Sequence, residues 1–206
     1  MRIAFKILIF LSLPFLLFPQ ESFIKELCEK REKMSEFLKS YKVVANVENF
    51  VYDGKGNLIR TDKKDIELYW DGNKWTEKGG KEILGMTRKT VNPFKCNDVS
   101  FFQYEVKDWG QEWCIQVKLL EKYQGLEAEE GNYIVSKNSS YFKKTFTTLT
   151  KCPSDLKNFQ LETEYGEIGK GVIAPMKMKI ETDIDEEAYG VSIKTISILN
   201  FTYKKN

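Results

Sequence analysis

The sequence predicts a mainly β (α+β) protein, in which one curved antiparallel sheet packs around an N-terminal helix. Two observations predict this class. From residue 41 onward, apolar and polar residues alternate in about nine segments separated by Gly- and Asn-rich turns, which is typical of strands with one apolar and one solvated face. A single amphipathic segment with helical spacing precedes them. The economical architecture is a half-barrel sheet with the N-terminal helix on its concave face.

Residues 1–20 are predicted to be a signal peptide or an uncleaved anchor. Arg2 and Lys6 precede an apolar run that extends from Ile7 to Phe18, the order found in secretory signals. The run is shorter than the roughly 20 apolar residues that a spanning helix needs, but the sequence before residue 21 lacks the small residues of a usual cleavage site. We therefore expect an exported protein of the periplasm or cell envelope of a bacterium, with one domain over residues 21–206.

The helix is predicted over residues 21–39, because apolar side chains recur there every three or four positions while Glu and Lys fill the other face. The predicted apolar face comprises Ile24, Leu27, Cys28, Met34, Phe37 and Leu38. After Ser40 the period changes to two. The turn at residues 53–57 and the hairpin signal at residues 71–73 then separate the first three strands.

Residues 79–95 are predicted to be a loop, and the remaining chain a series of strands. These strands are expected at residues 102–106, 113–119, 133–136, 141–149, 159–165, 176–184 and 191–203. The apolar pattern of the last strand changes phase between Ile193 and Ile196 and again at Leu199, which predicts a β-bulge.

Composition argues against several classes of function. The chain has no histidine, which removes the commonest general base and metal ligand. Its 32 Lys and Arg residues against 30 Asp and Glu residues give a net charge of +2, far from the basic excess of nucleic-acid-binding proteins. We expect no enzyme activity, no catalytic residues, no cofactor, no metal and no nucleic-acid partner.

Three motifs in the second half of the chain occur together. Residues 131–135 form a short strand motif of the type Gly-x-x-x-Val/Ile-Asp, with Ser136 in place of the Asp. Residues 169–175 form a Gly…Pro entry to the next strand, and residues 199–203 form a closing strand. These motifs resemble those of the LolA-like superfamily, the lipoprotein carriers of the bacterial envelope and their relatives. The four cysteines and the weak cleavage site depart from the pattern of that family.

The resemblance implies a half-open β-barrel whose apolar cavity holds acyl chains without covalent chemistry. The expected function is therefore a non-catalytic, membrane-proximal binding protein for lipid or lipoprotein acyl chains. An envelope protein-interaction or sensor domain on the same scaffold, with a protein partner, remains the alternative. An ordinary packed core also explains the apolar stripes of the strands. The residues expected to line a cavity are Leu27, Met34, Leu38, Trp70, Trp113, Phe159, Leu161, Met176, Met178 and Ile180.

An even number of cysteines in an exported chain suggests two disulfides. If the strands after residue 99 meander, the turns that carry Cys96 and Cys152 lie at the same end of the sheet. Cys28 lies on the apolar side of the helix, from which it could reach Cys114. We therefore expect Cys96–Cys152 and Cys28–Cys114, with four reduced and buried cysteines as the alternative.

Overall fold

A single antiparallel sheet dominates the structure, a computed structural model that describes residues 20–70, 75–77, 91–152, 156–169, 171–184 and 192–205. The helix α1 spans Gln20–Leu38. The first strands are β1 (Tyr41–Asp53), β2 (Leu58–Trp70) and β3 (Trp75–Glu77). The others are β4 (Phe102–Trp109), β5 (Glu112–Leu119), β6 (Glu129–Ser136), β7 (Phe142–Leu149), β8 (Leu156–Gly169), β9 (Val172–Ile184) and β10 (Ile193–Lys205).

The strand order explains how the two halves of the chain form one sheet. The order is β3-β2-β1-β10-β9-β8-β7-β6-β5-β4, and each strand is antiparallel to its neighbours. The strands from β4 to β10 form a meander, and β10 pairs with β1 along its whole length, from Tyr41↔Lys205 to Asp53↔Ile193. The sheet is curved and unclosed, with β3 and β4 at its two edges, so the predicted mainly β class is confirmed.

Local sequence accounts for most of the turns. The Asp53 carboxylate accepts hydrogen bonds from the backbone N–H groups of Lys55 and Asn57, at 2.9 and 2.8 Å, and so closes the β1–β2 turn. Gly56 adopts a φ of 84° there, and Gly110 a φ of 74° between β4 and β5. The β2–β3 hairpin is formed as predicted, with Trp70 paired to Trp75, while residues 71–74 lie outside the described ranges.

The bulge expected in the last strand is absent, because β10 pairs with both β1 and β9 without a change of register. Register shifts occur instead between β1 and β2, between β6 and β7, and at three places between β8 and β9. The prediction was wrong because Ile196 and Ile198 are half-buried on the face opposite to Leu199. When a strand carries apolar residues on both faces, its sequence shows the same shift in the apolar pattern that a β-bulge would produce.

The residues of the predicted signal peptide, up to residue 19, lie outside the described part of the chain, so leader and cleavage remain predictions. Within the described ranges, no helix is long and apolar enough to cross a membrane.

Candidate ligand site on the concave face

The helix covers one part of the concave face. Phe23, Ile24 and Leu27 project from α1 into a buried group that we call the helix cluster. Its other members are Phe94, Phe102, Ile115, Val117, Leu119, Ala128, Tyr133, Val135 and Phe142. The aromatic rings interlock edge to face, with the Phe94 ring centroid 4.7 Å from that of Tyr133 and 4.9 Å from that of Phe142. This part of the half-barrel is a packed core.

A second buried group, the sheet cluster, lies on the same concave face further along the sheet. It comprises Val43, Ala45, Val47, Ile66, Leu68, Leu149, Phe159, Ile180, Leu199 and Phe201. Tyr41, Cys152, Leu161, Met178 and Tyr203 pack against it and are only partly buried. Among the residues that the structure describes, no α1 side chain belongs to this cluster. The helix therefore occupies only part of the concave face.

Buried threonines separate the two clusters. Along β7, Phe142 belongs to the helix cluster and Leu149 to the sheet cluster, while Thr145 and Thr147 lie between them. Thr145 pairs across the ladder with Thr163 of β8. These three threonines expose only 4%, 6% and 2% of their surface, so a hydroxyl-bearing strip crosses an otherwise apolar interior.

The structure divides the residues expected to line one cavity. Leu27 belongs to the helix cluster, and Trp113 packs against that cluster with its ring 6.2 Å from Phe23. Phe159, Leu161, Met178 and Ile180 meet in the sheet cluster.

The other expected residues lie elsewhere. Leu38 is buried but belongs to neither cluster, and Met34 is half-buried. Phe37 was expected on the apolar face of the helix, but 59% of its surface is exposed. Met176 is 38% exposed, because it is the extra residue where the pairing of β8 with β9 shifts between Tyr165↔Pro175 and Glu164↔Lys177. The side chain of Trp70 lies outside the described part of the structure.

A partly buried polar network joins α1 to the sheet. The Arg31 guanidinium donates a hydrogen bond to the Asn92 side-chain oxygen, and Asn92 Nδ2 donates to Glu129 Oε2 at 2.7 Å. Burial raises the pKa of the Glu129 carboxyl, and the charge of Arg31 offsets part of that rise. Because an unpaired charge in an apolar interior is costly, this chain of contacts holds the helix and the segment before β4 in one position.

Tyrosines surround this network. Tyr133 is 4% exposed, and its hydroxyl has no hydrogen-bond partner among the described residues. Burial and the nearby Glu129 raise the pKa of Tyr133 well above its usual value. Burial likewise raises the pKa of Tyr165, whose hydroxyl is hydrogen-bonded to Thr145. The network and its tyrosines were missed at the level of sequence, because Arg31, Asn92 and Glu129 lie far apart in the chain and only the fold brings them together.

None of the four cysteines, all of which lie in described ranges, forms a disulfide in this structure. The structure also does not support the expected pairs Cys96–Cys152 and Cys28–Cys114, because Cys96 lies near Cys28 instead. Burial, together with the nearby side chains of Cys28 and Glu32, raises the pKa of Cys96 to about 12. Cys114 alternates with Ile115, which faces the helix, so Cys114 lies on the convex face and cannot meet Cys28. Cys152 packs against the sheet cluster.

A metal site is not formed by the residues that the structure describes, since no three Cys, Asp or Glu side chains converge in those ranges. The chemistry that the concave face offers is apolar contact, with hydroxyl groups at its centre.

Comparison with known proteins gives little guidance. No protein-family model matches the sequence, and no curated protein matches it significantly. Among solved structures, the crystal structure of a DUF1329 family protein from Desulfovibrio piger aligns with a TM-score of 0.46 and 10% sequence identity. The alignment covers 90% of this chain and 92% of that chain. A similarity at this level carries neither family membership nor function.

Proposed function

We propose that the protein is an exported, non-catalytic binding protein of the bacterial cell envelope, which holds the acyl chains of lipids or lipoproteins on its concave face. The observation that carries this proposal is the sheet cluster, a second apolar group on the concave face, to which no described α1 side chain belongs and whose members Leu161 and Met178 are only partly buried. The motif resemblance to envelope lipoprotein carriers supports the same ligand class.

The partly buried members of the sheet cluster suit a ligand of variable length. Leu161 and Met178 lie on adjacent strands, near the cross-strand pairs Leu161↔Ile180 and Thr163↔Met178. Met side chains adapt to irregular apolar shapes because they are unbranched and flexible. An acyl chain lying here would gain about 0.8 kcal/mol for each buried methylene group. The proposed contact surface is therefore centred on β8 and β9.

A protein-interaction domain is the second candidate, favoured by apolar side chains at the tips of the β1–β2 and β4–β5 hairpins. Leu58 and Ile59 are 55% and 60% exposed, and Trp109 is 57% exposed. Exposed apolar side chains mark interaction sites, and the strand order places these in two separate patches, with Leu58 and Ile59 on β2 and Trp109 on the edge strand β4. Replacement of Trp109 would weaken the binding of a protein partner that docks on this residue, and it would leave acyl-chain binding on the concave face unchanged.

The Met178→Lys variant tests the proposed site. A fluorescent fatty acid is titrated into detergent-stripped protein, and the variant is expected to bind at least about tenfold more weakly, because an ammonium group would enter the apolar surface. Met176→Lys is the matched control, since Met176 lies two residues away on the same strand and is already exposed. The control should bind as the original chain does.

Thermal unfolding and circular dichroism establish that both variants are folded. Equal binding by Met178→Lys and Met176→Lys would place the ligand elsewhere. Absence of saturable binding to the original chain would contradict the proposed ligand class.

A further inference from the structure

Two cysteines distant in sequence meet where α1 packs against the segment that precedes β4. Cys28 lies on the face of α1 that contacts Cys96, and the nearby Cys28 side chain adds to the rise in the pKa of the Cys96 thiol. Cys28 is 1% exposed, and its thiol also donates to the backbone carbonyl of Lys25 at 3.1 Å. One helical turn further on, Glu32 Oε1 accepts a hydrogen bond from the backbone N–H of Cys96 at 3.2 Å. Residues 28 and 32 share a helix face, so both contacts belong to one interface.

The backbone on each side of this thiol pair is held in place. Arg31 binds the side chain of Asn92, and the backbone N–H of Phe94 donates to Asn92 Oδ1 at 3.0 Å. The backbone N–H of Asp98 donates to the Lys95 carbonyl at 2.8 Å, which closes a turn around Cys96. The pair therefore does not depend on a single flexible contact. A disulfide needs the two sulfur atoms about 2.05 Å apart, so the two side chains must rotate toward each other within this held interface.

We propose that Cys28 and Cys96 form a disulfide bond that fastens α1 to the segment before β4. The two thiols together lose two protons and two electrons as one S–S bond forms. The oxidant is another disulfide, whose S–S bond is cleaved into two thiols as it takes up those protons and electrons. The other two cysteines stay reduced, since Cys114 lies on the convex face and Cys152 packs against the sheet cluster.

The proposed bond has a structural consequence for the concave face. It closes a loop of about 70 residues, which contains β1, β2 and β3. It also fixes the helix whose side chains Phe23, Ile24 and Leu27 belong to the helix cluster. The bond is expected to act as a clamp on α1 whether or not the protein binds acyl chains.

Peptide mapping under non-reducing conditions tests the connectivity. The full chain is reduced in denaturant, refolded in a glutathione redox buffer, alkylated and digested. We expect one cross-linked peptide pair that joins Cys28 to Cys96, with Cys114 and Cys152 alkylated. Cys28→Ser and Cys96→Ser should each abolish the cross-link, whereas Cys152→Ser, the control, should retain it. The same peptide mapping is repeated on natively folded protein that has been treated with oxidised glutathione. This second sample shows whether the cross-link forms without a refolding step.

A stability measurement tests the fastening of α1. Oxidised protein should unfold at a temperature higher than reduced protein by on the order of 10 °C, since the bond constrains the unfolded chain. The difference should vanish in Cys96→Ser and persist in Cys152→Ser. A cross-link between any other pair, or four alkylated cysteines in both the refolded and the native samples, would overturn the proposal. A Cys28–Cys96 bond without a gain in stability would overturn the role assigned to it.

Discussion

At the scale of single residues, two tyrosines of the helix cluster differ in the hydrogen bonding of their hydroxyl groups, the buried Tyr133 and the partly buried Tyr104. Tyr104 Oη donates to the carbonyl oxygen of Pro93 at 2.6 Å, whereas Tyr133 Oη has no partner among the described residues. Leaving a buried polar group without a hydrogen bond costs about 1–3 kcal/mol, and a satisfied one contributes about 1 kcal/mol. The two rings both contact Phe94, so they can be compared in one environment.

Tyr133→Phe and Tyr104→Phe are expected to change the free energy of unfolding in opposite directions. Tyr133→Phe should leave stability unchanged or raise it by about 1 kcal/mol, because it removes a hydroxyl that makes no hydrogen bond to the described residues. Tyr104→Phe should lower stability by about 1 kcal/mol, because the Pro93 carbonyl loses its donor. Urea unfolding of the three proteins measures both effects. A clear loss of stability in Tyr133→Phe would show that its hydroxyl is satisfied.

The alternation of apolar and polar residues along a strand predicts which side chains are buried. It does not predict contacts between segments that are distant in the sequence. Phe159, Leu161, Met178 and Ile180 lie together in the sheet cluster, while their role in lining a ligand cavity stays a prediction. The neighbours of Cys28 could not be predicted, because the position of Cys96 depends on how the segment before β4 packs on α1. Phe37 was misplaced because it lies on the exposed side of the last helical turn, whereas its neighbour Leu38 is buried.

At the scale of elements, one glycine allows β6 and β7 to approach each other. Gly131 has a φ of 149°, and a Cβ atom added to it would lie 2.0 Å from the backbone oxygen of Phe146. A residue with a Cβ atom rarely adopts this backbone conformation and essentially never makes so short a contact, so position 131 requires glycine. Gly131 was noted in the sequence as part of a strand motif, but the close approach depends on the pairing Gly131↔Thr147.

Gly131→Ala is expected to lower the free energy of unfolding by about 3 kcal/mol or more, because backbone atoms must move to admit the methyl group. Gly125→Ala is the matched control, since nothing lies within 4 Å of a Cβ atom at that position. Denaturant unfolding of both variants measures the difference. Equal stabilities would contradict the described pairing of β6 with β7.

The elements themselves could largely be predicted from the sequence. The helix begins and ends within one residue of its predicted bounds, and the hairpin turns near residues 53–57 and 108–111 are present. These features depend on neighbours in the chain, such as the Asp53 carboxylate and its turn. Register shifts were not predictable in the same way, since they depend on the fit between two strands. The shift at Met176 is an example, because it turns an expected cavity residue outward.

At the scale of the whole molecule, the pairing of β10 with β1 decides the architecture. It places the N-terminal hairpin next to the last strand, so one sheet carries both the helix cluster and the sheet cluster on its concave face. The half-barrel with a helix on that face was predicted from the number of alternating strands and the single amphipathic helix. The division of the interior into two clusters was not, because it depends on where α1 crosses the sheet.

The chain-length dependence of ligand binding tests most directly whether this divided interior holds acyl chains. A series of saturated fatty acids competes with a fluorescent fatty acid for detergent-stripped protein, each kept below its solubility limit. If the chain lies on the sheet cluster, each added methylene should tighten binding by about fourfold until the surface is filled, because its burial is worth about 0.8 kcal/mol. Affinities that do not change with chain length, or the absence of saturable binding at any length, would contradict the account.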